Sequence, residues 1–102
     1  MAAFLLVLTF DADTTNHQPD YEQANVALSQ LGLARSLRDG GGTMRDLPLN
    51  TYAGSLSGES AAAVATDVRD RAAGALANCS IVGSLFVVAG GNWAWRTNAP
   101  NA

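Results

Sequence analysis

The chain contains no lysine, one cysteine, one histidine and three prolines in 102 residues, and each scarcity excludes something. All six basic residues are arginine, nine residues are acidic, and the net charge is -3 with a pI near 4.7. A surface that grips nucleic acid over its whole extent is therefore excluded, because such binding is chiefly phosphate neutralisation by cationic side chains. Cys79 stands alone, which excludes an intramolecular disulfide and any metal site built from several cysteines, and makes an intracellular, cytoplasmic location the default expectation. His17 excludes any mechanism that needs two histidines from one chain, and reads as a polar residue in the loop before a helix. Long hydrophobic runs are also missing. The apolar stretch at the N-terminus falls far short of the ~20 residues of a membrane-spanning helix. It has no basic n-region and ends in acidic residues instead of a small-residue cleavage site, so neither a signal peptide nor a membrane anchor is expected.

Charged residues are only 15% of the chain and apolar residues 48%, a balance that excludes the disordered class and predicts a packed core. The length suits one compact domain, predicted to span residues 1–97 with a flexible tail over 98–102. The most telling segment is Phe4-Leu5-Leu6-Val7-Leu8-Thr9-Phe10, followed at once by Asp11-Ala12-Asp13-Thr14-Thr15. A β-rich apolar run that ends in two carboxylates spaced i, i+2 reads as a buried strand delivering acid to the edge of the core. Residues two apart on a strand share a face, so Asp11 and Asp13 converge on one cation if the extended geometry persists.

Beyond a polar loop over Thr14 to Pro19, Asp20 reads as an N-cap with Gln23 in capping-box spacing. Ala24, Ala27, Leu28 and Leu31 mark one buried helical face, and Gly32 supplies the stop. Leu33 to Leu37 predicts a second strand. Arg38-Asp39-Gly40-Gly41-Gly42 then forces a turn, since three successive glycines are entropically costly in a regular element. A third strand is predicted over Asn50 to Leu56, with Pro48 at its entry. Ser57 to Ser60 opens a long alanine-rich helix to Ala77, whose inner stripe is Ala61, Val64, Ala65, Val68, Ala72, Ala75 and Leu76. Ser80 to Ala89 reads as a central strand. Gly90-Gly91-Asn92 turns the chain toward Trp93 and Trp95, with room for a short fifth strand over residues 93–96. Arg35, Arg38 and Arg45 cluster between the two halves, either as a solvated loop or as a phosphate contact.

The order is β-α-β-β-α-β, which favours a ferredoxin-like sandwich: two helices on one face of a four-stranded antiparallel sheet. In such a fold the bare sheet face or its edge suits pairing with a second copy. Trp93 and Trp95 suit burial in a homodimer or a ligand contact. With the apolar strand ending in Asp (Val7-Leu8-Thr9-Phe10-Asp11) and the helix exit Leu31-Gly32-Leu33-Ala34-Arg35, the chain resembles the Cas2 and VapD group of small nucleases. That resemblance implies a homodimer that brings two copies of Asp11 together on Mg²⁺ or Mn²⁺, with Asp13 assisting, to cleave RNA or DNA. Arg35 and Arg38 would then steady phosphates. The chain departs from the group in its acidity, its lack of lysine and its third strand, Asn50-Thr51-Tyr52-Ala53-Gly54.

Two other readings compete. Asp11-Ala12-Asp13-Thr14-Thr15 fits the Asp-x-Asp-x-Thr opening of haloacid dehalogenase-like phosphatases, but that family needs a larger parallel sheet and a further acidic pair. The alternative from another class is a non-catalytic ferredoxin-like dimer that binds a small ligand or a protein partner. It draws on the low charge and the apolar C-terminal end.

Overall fold

The computed structural model of the chain describes residues 2–12, 20–38, 41–79, 81 and 83–91. Its elements run β1 (Ala2–Phe10), α1 (Tyr21–Ser29), β2 (Ser36–Arg38), β3 (Met44–Asp46), β4 (Thr51–Gly58), α2 (Ala61–Asn78) and β5 (Leu85–Gly90). The class is mixed α+β, with two helices, a three-stranded antiparallel sheet and a separate two-stranded one among the described residues.

In the larger sheet β1 is central, flanked by β4 and β5. Its register sets the two faces. Leu6 lies between Gly54 and Ala89, Leu8 between Tyr52 and Val87, and Phe10 beside Leu85. On that even-numbered face Leu6, Leu8 and Phe10 are buried, and the Phe10 and Tyr52 rings stack with centroids 6.1 Å apart. The two helices close this side. Ala24 and Leu28 of α1 and Val64, Val68, Ala72 and Leu76 of α2 complete one cluster with Leu33, Cys79 and Ile81. The alternation of strand side chains and the 3.6-residue period of the helices thus meet on a single core.

Local chemistry fixes where the helices begin and end. The Asp20 carboxylate accepts from the Gln23 amide at 3.0 Å, and the Ser60 hydroxyl accepts from the Ala63 amide at 3.1 Å. At the exit of α1 the Leu33 amide donates to the Leu28 carbonyl at 3.1 Å and the Gly32 amide to the Ser29 carbonyl at 3.0 Å, while Gly32 takes φ +89°. This is a Schellman stop, with Leu28 and Leu33 making its hydrophobic contact.

Three expectations are corrected. Among the described residues the sheet has three strands instead of four: the predicted second strand is bridged to β4 at Ala34 and Ala53 but does not join the sheet as a strand. The chain bends at Arg35, and Ser36–Arg38 pairs with Met44–Asp46 in a hairpin over the glycine run. Closing a short loop is entropically cheaper than extending β4's edge. Met44–Asp46 is itself a strand that was not expected. Finally, the last strand is Leu85–Gly90 and among the described residues lies at an edge, paired with β1 alone, so β1 and not β5 is central. The residues of the expected fifth strand, 93–96, and of the tail, 98–102, lie outside the described residues.

Candidate functional site

The uncovered side of the sheet is the main candidate surface. Odd-numbered residues of β1 face away from the helices: Leu5, Val7 and Thr9, in rows with Gly90, Val88 and Phe86 of β5 and with Ser55, Ala53 and Thr51 of β4. Phe86 is 63% exposed and Val88 48%, and Leu5 and Val7 are half-buried. No ionisable side chain stands among these rows. Ala53, on the β4 side of these rows, is buried, whereas Phe86 and Val88 on the β5 side stand open.

Asp11 stands at the rim of that face. Its amide donates to the Ser84 carbonyl at 2.9 Å, which extends the β1–β5 register by one residue and keeps Asp11 on the side of Val7 and Thr9. The side chain is exposed. Gly83 packs so closely on the Asp11 carbonyl that a side chain there would overlap it, so the strand exit is gripped by the entry of β5. Asp13 and His17 lie outside the described residues, as do Trp93 and Trp95. Among the described residues no group of three His, Cys, Asp or Glu side chains is arranged to hold a metal ion.

The arginines are not gathered around Asp11. Arg35 follows the Ala34–Ala53 bridge on the outer edge of β4, two strand spacings or ~10 Å from β1, and by strand alternation its side chain lies on the side of Tyr52. Arg38 is exposed and donates to the Gly42 carbonyl at 2.7 Å, bracing the hairpin turn. Tyr52 donates a short hydrogen bond to Asn25 of α1. Burial pushes its phenol above the ordinary tyrosine range, against the opposing pull of Arg35. The Cys79 thiol is likewise pushed up by burial, with Asp20 adding to the effect.

Sequence reasoning placed Asp11 at the strand exit but did not single out Phe86, Val88, Leu5 and Val7. A signal was present: β1 is apolar at both odd and even positions, as expected of a strand covered on both faces. No helix among the described residues is long and apolar enough to cross a membrane. No protein-family model, no curated protein and no solved structure matches this chain.

Proposed function

We propose that the protein is a small interaction module of ferredoxin-like design that pairs with a second copy of itself through the bare face of its sheet. The observation that carries this reading is the exposed apolar row of Phe86 and Val88 beside Leu5 and Val7. A second copy suits it because the rows themselves carry no ionisable side chain and Asp11 stands only at their rim, so the patch can be buried without desolvating a charge at its centre. A two-fold arrangement presents the same patch from both sides. The spatial order β5-β1-β4, with Ala34 bridged to the outer edge of β4, supports the ferredoxin-like reading, in which the hairpin arm stands where the fourth strand would be.

The patch is modest. Three strands ~4.8 Å apart over about six residues give a footprint of roughly 14 by 20 Å. Even with side-chain relief this is smaller than the ~800 Å² per partner of a standard interface. The dimer is therefore expected to be concentration-dependent, with dissociation in the micromolar range. Sedimentation velocity over a dilution series checks it: the wild type should shift from dimer to monomer, and Phe86→Lys should stay monomeric throughout. A wild type that remains monomeric at the highest concentration sinks the reading.

A second reading, a metal-dependent phosphodiesterase, is favoured by the position of Asp11 on the same face. A two-fold axis near the Thr9–Phe86 row would set two Asp11 carboxylates on one interface. There they could share Mg²⁺ or Mn²⁺ and activate water against RNA or DNA. Asp11→Ala is expected to abolish Mg²⁺- or Mn²⁺-dependent cleavage while leaving the dimer intact. Absence of cleavage by the wild type, or equal cleavage by the variant, would remove it.

A further inference from the structure

The outer edge of β4 is open at one end. Ala53 exchanges both backbone hydrogen bonds with Ala34, each at 2.9 Å. Backbone groups alternate sides along a strand, so Ser55 and Ser57 turn their N–H and C=O the same way, outward from β1. Thr51 keeps the same phase, its amide donating to the Pro48 carbonyl at 3.0 Å. The chain comes down from α1 through Gly32 and Leu33, bridges Ala53 and runs on toward the Thr51 end, where the hairpin takes it up. The other end of the edge is left bare: Ser55 and Ser57 are exposed, and their outward backbone groups have no partner among the described residues. A cleft of about 460 Å³ adjoins this stretch on the helix side. Its floor is apolar, with Leu31, Leu56 and Val64, and a side chain at Gly58 would overlap Val64, so α2 sits directly on the end of β4. Ser57 also lines the cleft, although alternation turns its side chain to the other face; what it offers there is its backbone edge. The rim carries Glu59 and Asp67 against Arg71, whose guanidinium bonds Asp67 at 3.0 Å. One arginine against two carboxylates leaves the rim with net negative charge.

We propose that this edge and cleft dock an extended segment of a partner protein, which adds a strand antiparallel to β4 and carries arginine or lysine two residues before a large apolar side chain. Strand addition of this kind draws its affinity from main-chain hydrogen bonds and its specificity from pockets for alternate side chains, and both halves are present here. The antiparallel sense continues that of the Ala34–Ala53 bridge. The register follows from the outward groups. The partner residue opposite Ser57 exchanges its N–H and C=O with that serine, and its two neighbours turn their side chains to the helix side. The neighbour opposite Leu56 lies over the apolar floor, and the one opposite Gly58 lies beside Glu59. Charge decides the kind of partner. Two copies of this chain joined edge to edge about a two-fold axis would set two acidic rims together, each on a chain of net charge -3, whereas a basic segment meets a carboxylate. This inference concerns a different surface from the self-association and stands independently of it.

Acetylated, amidated peptides Thr-Thr-Arg-Thr-X-Thr, with Leu, Ile, Val or Phe at X, titrated to millimolar concentration into the isotope-labelled full chain and followed by amide NMR, make the test. At least one of the four is expected to bind saturably, with the largest shifts at the Ser55, Ser57 and Glu59 amides. N-methylation of the threonine between Arg and X removes the donor to Ser57 and should weaken binding about tenfold, as the loss of one or two main-chain hydrogen bonds would. N-methylation of the arginine, whose N–H faces away from β4, should leave binding nearly unchanged. Glutamate in place of the arginine should weaken binding about threefold to fivefold, and Glu59→Arg, an exposed substitution that should keep the circular dichroism of the fold, should reverse that preference. The proposal is overturned if none of the peptides moves those amides at millimolar concentration. It is equally overturned if the two N-methylations act alike, which would make the cleft a plain apolar pocket, if Glu59→Arg leaves the charge preference unaltered, or if the shifts centre on Phe86 and Val88, which would put the peptide on the bare sheet.

Discussion

Leu8→Ala is expected to lower the unfolding free energy by about 3–4 kcal/mol, the middle of the range for such truncations. Leu8 is fully buried on the central strand, between Tyr52 and Val87 and in one core cluster with residues of both helices. Removing its side chain costs the lost transfer free energy plus the cavity, and here the cavity has little means of closing. β1 is hydrogen-bonded on both edges, so the backbone is held in place, and the Phe10–Tyr52 stack spans Leu8's own row and the next. Against a total stability of roughly 5–15 kcal/mol this is a large fraction. The melting temperature should fall by some 12 °C or more, at ~4–8 °C for each kcal/mol. Urea unfolding of the variant beside Leu49→Ala makes the check. Leu49 is 73% exposed, and its truncation should stay within ~0.5 kcal/mol. A Leu8→Ala loss below about 1 kcal/mol would contradict a single core centred on β1.

What could be read in the sequence followed the range of the forces involved. Helix termini were legible because capping is local: Asp20 with Gln23, and Gly32 after Leu31, act within a few residues and do the same in the fold. The inner face of α2 was legible through periodicity, and Val64, Val68, Ala72 and Leu76 are buried as the stripe predicts. Strand partnership was not legible, because it depends on which edges compete. Leu33 to Leu37 had the composition of a strand, yet Gly40-Gly41-Gly42 allowed a hairpin to capture Ser36–Arg38 locally, leaving β4 a single bridge through Ala34. The place of β5 was misjudged for a related reason. Apolar residues at every position indicate cover on both faces, and they do not say whether the cover comes from this chain. The candidate site was split in the same way. Asp11 was visible as the end of an apolar run, while Phe86 and Val88 became candidates only when the fold left their face bare.

Gly54→Ala is expected to cost about 3 kcal/mol or more, a large effect for a single added methyl. Gly54 lies on β4 opposite Leu6, on the face under the helices. A side chain there would run into the carbonyl oxygen of Gly32, so the obstruction is backbone and not a side chain that can rotate away. Gly32 cannot retreat at low cost either. Its φ of +89° and the bonds of Gly32 and Leu33 to the last turn of α1 lock it in place, and a side chain on Gly32 would itself stand 2.8 Å from Leu56 Cδ2. The exit of α1 and the middle of β4 thus approach too closely to admit a Cβ between them, and this contact helps set how the helix layer sits on the sheet. Gly74→Ala is the matched control. Gly74 is an exposed position inside α2 with open space around its Cα, where alanine should add about 0.5–1 kcal/mol through helix propensity and a less flexible unfolded chain. Chemical denaturation of the two variants should give shifts of opposite sign. Equal small shifts would mean that the α1 exit and β4 are not in contact in solution. A Gly54→Ala chain that still folds should have a more open helix layer, and the Leu31–Leu56 cleft beside it should widen.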